Sequence, residues 1–183
     1  MMEKELRIAI TGYRPTKLPA GYGYDLTNKA YRELADAIYD TVKFAACRSG
    51  MSHLVCISGM ALGTDQLFVH VARRLKKAVD IDNVHIIAAI PCYGQELKWP
   101  VRSREEYHKV LALCDETVHV TQGRFTPSCM EQRNRWMVDR CDVLIAVYDG
   151  QPGGTANCIR YAREQGKTIY FIDPKNLLIR QAA

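Results

Sequence analysis

Residues 143–155 have the sequence VLIAVYDGQPGGT, an apolar run followed by a glycine-rich turn and the start of an amphipathic stretch. Val143–Val147 lacks the polar alternation of a strand with one face in water, so both faces of this strand are expected to be covered. A glycine-rich turn follows, and Thr155 opens a stretch with helical spacing of its apolar residues. A buried strand that leads through a tight turn into a helix is typical of a parallel α/β sheet.

The same unit, a short apolar run followed by an amphipathic stretch, recurs along the chain. The predicted strands are Arg7–Thr11, His53–Ser58, Val84–Ile90, Glu116–Val120, Val143–Val147 and Thr168–Ile172. The predicted helices are Thr27–Cys47, Asp65–Lys77, Ser103–Leu113, Cys129–Arg140 and Thr155–Gln165, with Gly166 as a helix-ending glycine. The predicted fold is a Rossmann-like three-layer α/β sandwich with a mostly parallel sheet of order 4-3-2-1-5-6, which right-handed crossovers make feasible. Because no linker or repeat divides the sequence, residues 1–183 are expected to form a single domain with its core at 7–173.

The composition indicates which class of protein this chain belongs to and what charge its ligand carries. Of the 183 residues, 48% are apolar and 25% charged, as in ordinary globular proteins. No apolar run approaches the ~18 residues that a membrane span needs, and charges crowd the first fourteen residues, so neither a membrane anchor nor a secretory signal is expected. A cytoplasmic protein is predicted. The seven cysteines include no CxxC pair, which favours reduced structural thiols over disulfides or zinc. The net charge of +5 suits an anionic small ligand or a weak nucleic-acid contact.

Three loops at the predicted carboxyl ends of strands are rich in glycine and small polar residues: Thr11–Pro15, Ser58–Asp65 and Asp149–Thr155. Ligands of open parallel sheets bind at this edge, and the free N–H groups of a helix start attract phosphate. Tight turns also need glycine, but the combination of these loops favours a phosphate-bearing ligand. The candidate binding residues are Thr11, Gly12, Arg14, Ser58, Gly59, Met60, Gly63, Thr64, Asp65, Arg133, Asn134, Asp149, Gly153, Gly154, Thr155 and Asn157. No metal and no cofactor is expected.

Arg133 is the most informative candidate because it falls on the apolar stripe of its predicted helix. A guanidinium that faces the core needs a partner, which is either an internal carboxylate such as Asp139 or Asp149, or a ligand phosphate. Asn134 next to it either hydrogen-bonds the same ligand or caps a loop. Asp65 either stabilises the start of its helix or accepts hydrogen bonds from a ribose or an amine.

The loop after the third strand, residues 91–100, carries aromatic side chains to the same edge. Tyr93 and Trp99 either stack on a base, with Glu96 reading its polar edge, or pin this long loop to the body of the protein. The sequence favours neither alternative over the other.

Together the three loops, with the order TGYRP at 11–15, SGMALGTDQ at 58–66 and GGTAN at 153–157, resemble the SLOG superfamily. The similarity is strongest to the YpsA-like proteins of bacteria and phages and extends over residues 7–173. This resemblance implies a Rossmann-like sheet that binds nucleotides or nucleotide-derived ligands. The superfamily contains phosphoribohydrolases, sensor domains for ligands of the NAD and ADP-ribose type, and the DNA-processing protein that loads recombinase onto single strands.

The enzyme branch of this superfamily consists of the phosphoribohydrolases, and two residues of this chain differ from the residues of that branch at positions that bear on catalysis. Arg133 matches the arginine of that branch, but Asn134 stands where its lysine would be and Cys158 takes the place of its glutamate. The resemblance therefore implies binding or sensing of a nucleotide-like ligand, with no catalytic residue assigned. The alternatives are an N-glycosidase in which Glu96 or Asp149 substitutes for the glutamate, and single-stranded DNA binding. The expected partner is a phosphate-bearing small molecule, with no membrane; nucleic acid is not expected, and a homodimer is compatible with the sequence.

Overall fold

The computed structural model describes residues 5–51, 53–78, 81 and 83–182, and this part of the chain contains seven strands and five helices. In chain order they are β1 (Glu5–Gly12), α1 (Lys29–Ser49), β2 (His53–Ser58), α2 (Thr64–Leu75), β3 (Asn83–Ile90), α3 (Val101–Leu111), β4 (Glu116–His119), α4 (Cys129–Asp139), β5 (Val143–Val147), α5 (Gly154–Glu164), β6 (Thr168–Ile172) and β7 (Ile179–Gln181).

The strands form one sheet with the order β4-β3-β2-β1-β5-β6-β7. Strands β1 to β6 are parallel, so the predicted Rossmann-like α/β class and the order 4-3-2-1-5-6 are confirmed. The chain reverses its direction of travel across the sheet between β1 and β5, where Gly12 lies opposite Val147. This switch point separates two neighbouring strands whose following loops leave in opposite directions, which opens a crevice at the carboxyl edge.

The seventh strand was not predicted from the sequence. β7 pairs antiparallel with β6, with Ile179 opposite Ile172, and all three of its residues are exposed. A three-residue edge strand without a buried face has no apolar periodicity, so backbone pairing alone defines it.

Most helix boundaries differ from the predicted ones by one or two residues, and for α1 the cause is visible at both ends. Its first turn is capped by Asn28, whose side chain accepts a hydrogen bond from the N–H of Tyr31, so the helix begins at Lys29. It ends at Gly50, which is left-handed with φ 65°. Gly166 takes the same left-handed conformation after α5, as predicted.

Two apolar layers cover the two faces of the sheet, and all five residues of β5 are buried. Helices α1, α2 and α3 pack on one face, and α4 and α5 pack on the other. Alternate residues of β1 show the division, since Ile8 and Ile10 belong to the first layer and Ala9 to the second. In the described residues no helix is both long and apolar enough to cross a membrane.

Candidate functional site

A cleft of about 380 Å³ opens at the carboxyl edge of the sheet, above the switch point between β1 and β5. The loops after β1 and β5 form two of its walls, and α4 forms a third. Its lining residues are Ile10, Thr11, Gly12, Tyr13, Arg14, Thr16, Lys17, Ala61, Asp65, Met130, Arg133, Asn134, Gly153, Gly154 and Thr155. Nine of the predicted site residues are in this set, so the fold brings together residues that lie up to 144 positions apart in sequence.

The amino end of α5 forms one wall of this cleft. The helix begins at Gly154, and its N-cap residue is Gly153, which has φ 139° and no side chain that could cap the first turn. Only glycine adopts this backbone conformation readily. The first N–H groups of a helix have no partner within the helix and carry the positive end of its dipole. An anion in the cleft would therefore meet both the dipole and hydrogen-bond donors.

Two threonine hydroxyls hold the first loop against the neighbouring loops. Oγ1 of Thr64 donates to the carbonyl of Tyr13 at 3.0 Å, and Oγ1 of Thr155 donates to the carbonyl of Gly12 at 3.2 Å. A Cβ on Gly12 would lie 2.4 Å from Cγ2 of Thr64, so no larger residue fits there without displacement. Thr64 therefore shapes the cleft from behind, while Thr155 both shapes it and lines it.

A buried ion pair closes the floor of the cleft. Nη1 of Arg133 donates to Oδ2 of Asp65 at 3.1 Å, and each of these residues is only 5% exposed. The same carboxylate oxygen accepts from the N–H of Ala61 at 3.2 Å. Burial raises the pKa of Asp65, and Arg133 and the Ala61 N–H oppose that rise by stabilising the charged carboxylate.

The internal carboxylates named from the sequence are not the partners of Arg133. Asp139 accepts a hydrogen bond from the Tyr161 hydroxyl at 2.8 Å, and Asp149 is held by the Tyr13 hydroxyl at 2.7 Å and by Lys175 at 2.9 Å. The actual partner belongs to the start of α2, which only the crossover of the sheet brings to α4.

One hydrogen-bond donor of Arg133 is unpaired within the described residues. Its Nε is buried and has no partner among residues 5–51, 53–78, 81 and 83–182. Its guanidinium also covers the backbone of Gly59, since a Cβ on Gly59 would lie 1.3 Å from Nη1. An unpaired buried N–H costs about 1–3 kcal/mol.

Lys17 is a cleft residue that the sequence reasoning missed. The chain turns after Arg14, with the N–H of Lys17 donating to the Arg14 carbonyl at 2.9 Å, and this turn brings both cations to the mouth of the cleft. Nζ of Lys17 donates to the carbonyl of Pro152 at 3.0 Å and so ties the first loop to the third. A second basic residue three positions after Arg14 was the available signal.

The other predicted site residues lie behind or beside the cleft. Oγ of Ser58 donates to the Asp65 carbonyl at 2.7 Å and accepts from the N–H of Met60, which is buried with φ 58°. Gly59 and Gly63 belong to the same supporting loop. Asn157 lines a neighbouring cavity of about 320 Å³ that shares Asn134 and Gly154 with the cleft. Asp149 is not a lining residue, and its hydrogen bonds with Lys175 and Tyr13 lower its pKa.

Cys158, which stands where the enzyme branch has its glutamate, lines the neighbouring cavity. It is 3% exposed, and burial raises the pKa of its thiol to about 11. At neutral pH the side chain is therefore an uncharged thiol, which cannot take the part of a carboxylate.

A second depression, here called the aromatic groove, adjoins the cleft. It has a volume of about 930 Å³ and shares Arg14 and Met130 with the cleft. Its other lining residues are Tyr93, Gly94, Gln95, Leu97, Lys98, Trp99, Arg124 and Phe125. Trp99 packs edge-on against Tyr107, with ring centroids 5.5 Å apart, so it does pin the loop to the body of the protein. Gln95, which was not predicted, lines the groove, whereas Glu96 is absent from its lining.

Comparison with known proteins agrees with this architecture. The family model described as the YspA SLOG family matches residues 8–177. The uncharacterized SPbeta prophage-derived protein YoqJ of Bacillus subtilis is 35% identical over 134 residues, which cover 64% of this chain and 75% of YoqJ. The UPF0398 protein YpsA of the same organism is 29% identical over 178 residues, or 94% of each chain.

Two solved structures share the fold. DNA processing protein A (DprA) from Streptococcus pneumoniae superimposes with a TM-score of 0.61 at 16% identity, over 92% of this chain and 50% of that protein. DNA processing protein A from Helicobacter pylori superimposes with a TM-score of 0.56 at 17% identity, over 92% of this chain and 65% of that protein. The chain thus spans about half to two thirds of the length of these structures.

Proposed function

Because this chain belongs to the YspA SLOG family, we propose that it binds a phosphate-bearing, nucleotide-type small molecule and does not transform it. The observation that carries this proposal is the meeting of Arg14 and Lys17 with the amino end of α5 in one cleft at the switch point of the sheet. Helix N–H groups, their dipole and two long cations together favour a phosphate over a neutral ligand.

The charge of the cleft supports an anionic ligand. Three of its lining side chains are the cations Arg14, Lys17 and Arg133, and the one lining carboxylate, Asp65, is already paired with Arg133. Arg14 and Lys17 are exposed at the mouth, where they can close on a ligand.

Replacing Arg14 by alanine should weaken ligand binding about tenfold to a hundredfold, the loss expected for one charge-assisted hydrogen bond. A thermal-shift panel of AMP, ADP, ADP-ribose and NAD first selects the compound that stabilises the protein most. Calorimetric titration then compares wild type, Arg14→Ala and the control Arg73→Ala, which removes an exposed arginine of α2 outside the cleft. Equal affinity of the Arg14 and Arg73 variants, or no stabilisation by any compound, would overturn the proposal.

We expect no turnover because of the protonation and the position of the side chains that could act on a glycosidic bond. Cys158 carries a protonated thiol, and the carboxylate of Asp149 is engaged by Tyr13 and Lys175 away from the lining of the cleft. Glu96 lines neither the cleft nor the aromatic groove. Neither Asp149 nor Glu96 is therefore placed in the cleft to replace the glutamate of the enzyme branch.

Purified protein is accordingly expected to release no measurable base from AMP. General acid–base catalysis is worth about 10²–10⁴-fold, so its loss is readily seen in a turnover assay that resolves adenine from AMP. Robust release of adenine that disappears in Asp149→Asn or Glu96→Gln would instead establish a hydrolase.

Single-stranded DNA is the second candidate ligand. The H. pylori DprA structure is described as having a unique single-stranded DNA binding mode, and the aromatic groove here is bordered by Arg14, Lys98 and Arg124. The modest net charge of +5 argues for weak binding of a strand. Sub-micromolar, steeply salt-dependent binding of an oligonucleotide in a fluorescence anisotropy titration at physiological salt would favour this candidate over the small molecule.

A further inference from the structure

The aromatic groove opens beside the proposed phosphate site and is built differently from it. We propose that this groove receives the base of the bound nucleotide, and that the base carries an exocyclic amino group, as adenine does. The proposal rests on the proposed function, because it places the phosphate of the same molecule in the cleft. Arg14 and Met130 belong to both depressions, so a single ligand can cross from one to the other at these two residues.

Tyr93 provides a stacking surface with one side already supported. Its ring stacks on His119 with centroids 4.3 Å apart and an interplanar angle of 24°. The Tyr93 residue is nevertheless 50% exposed, so its ring is also accessible from the groove. Its backbone is fixed by a bridge to Arg124, with the Tyr93 N–H donating to the Gly123 carbonyl at 3.0 Å. A rigid ring stacks on a base with little loss of side-chain entropy.

Phe125 adds a second aromatic surface, and cations surround both rings. Phe125 is 56% exposed, and Nζ of Lys98 lies 5.9 Å from the centre of its ring. Arg14 and Arg124 line the same groove. An apolar floor with a cationic rim matches a flat aromatic base joined to an anionic phosphate better than it matches a purely apolar partner.

Gln95 gives the groove a means of recognising the edge of the base. The residue is 7% exposed, and its Nε2 donates to the Tyr107 hydroxyl at 3.3 Å. Its Oε1 has no hydrogen-bond partner within the described part of the chain. A buried carbonyl without a donor is unfavourable. Because this oxygen is almost fully covered in the free protein, the groove has to open around Gln95 before an amino group on the base supplies that donor. A carbonyl at the same position of the base would leave two acceptors facing each other.

The test compares three ligands: AMP; IMP, in which a carbonyl replaces the amino group and the neighbouring ring nitrogen N1 carries a hydrogen; and ribose 5-phosphate, which has no base. Calorimetric titration of the wild-type protein should show that AMP binds about 5- to 100-fold more tightly than ribose 5-phosphate, the range for a base stacked on an aromatic ring. IMP should bind about tenfold more weakly than AMP, as expected for one unmatched hydrogen bond.

Two variants assign these differences to residues. Tyr93→Ala should bring the affinity for AMP close to that for ribose 5-phosphate and leave ribose 5-phosphate binding unchanged. Tyr24→Ala, which removes an exposed tyrosine outside both depressions, should change neither. Gln95→Met conserves side-chain volume and should abolish the preference for AMP over IMP.

The outcomes separate this inference from the proposed function. Equal binding of AMP and ribose 5-phosphate would overturn the base site and leave the phosphate site standing. Equal binding of AMP and IMP by the wild-type protein would overturn the assignment of an amino group, even if Gln95→Met failed to fold. If none of the three compounds bound, both the inference and the proposed function would fall.

Discussion

Replacing Arg133 by alanine is expected to lower the free energy of unfolding by about 3–5 kcal/mol at neutral pH, the cost of leaving a buried charge without its partner. Asp65 is 5% exposed and retains only the N–H of Ala61 as a described hydrogen-bond donor to its carboxylate. Chemical denaturation of the ligand-free protein measures this loss.

The control lies on the same helix. Arg135 forms an exposed ion pair with Glu131 at 2.8 Å, and surface pairs of this kind contribute less than about 1 kcal/mol. Arg135→Ala should therefore leave the denaturation midpoint nearly unchanged. If Arg133→Ala were as mild as this control, the ion pair in the floor would have no structural role.

The loss of stability caused by Arg133→Ala should also depend on pH. Burial raises the pKa of Asp65 and Arg133 lowers it, so removing Arg133 raises that pKa further. The folded variant then binds a proton at a higher pH than the unfolded chain does, which favours the folded state as pH falls. The difference in stability from wild type should therefore shrink as the pH is lowered from neutral into the acid range. Asp65→Asn in the Arg133→Ala background should recover much of the loss, because it removes the unpaired charge.

The fold could be predicted from the sequence where burial leaves a periodic signal. β5 shows this most clearly, since its five apolar residues reflect helices packed on both faces of the sheet. The strand order followed from placing the glycine-rich loops at one edge of the sheet, an arrangement that right-handed crossovers make feasible. β7 could not be predicted, because its residues are exposed and its place is fixed only by backbone hydrogen bonds to β6.

The position of the site could be predicted more fully than its contacts. The glycine loops after β1 and β5 lie at the carboxyl edge because neighbouring parallel strands end there. The pairing of Arg133 with Asp65 joins residues 68 positions apart, and no local pattern encodes such a distance. Lys17 reaches the cleft through a turn after Arg14, and a turn of this kind leaves only a weak trace in sequence.

Gly59→Ala should destabilise the protein by about 3 kcal/mol, because it separates the same ion pair from the opposite side. The new methyl group would lie 1.3 Å from Nη1 of Arg133 and 2.8 Å from Oδ2 of Asp65. The end of an arginine side chain usually yields to such a contact at little cost. Here it can yield only by leaving the carboxylate, so the cost is that of an unpaired buried Asp65.

Glycine at position 123 provides the matched control, since a Cβ built there meets nothing within 4 Å. Gly123→Ala should change the free energy of unfolding by no more than about 0.5 kcal/mol. The decisive measurement is a double-mutant cycle with Arg133→Ala. In that background the guanidinium is gone, so Gly59→Ala should add less than about 1 kcal/mol to a loss already present. If the two losses instead add in full, Gly59 acts through the conformation of its own loop and not through Arg133, and the ion pair does not depend on the absence of a side chain at this position.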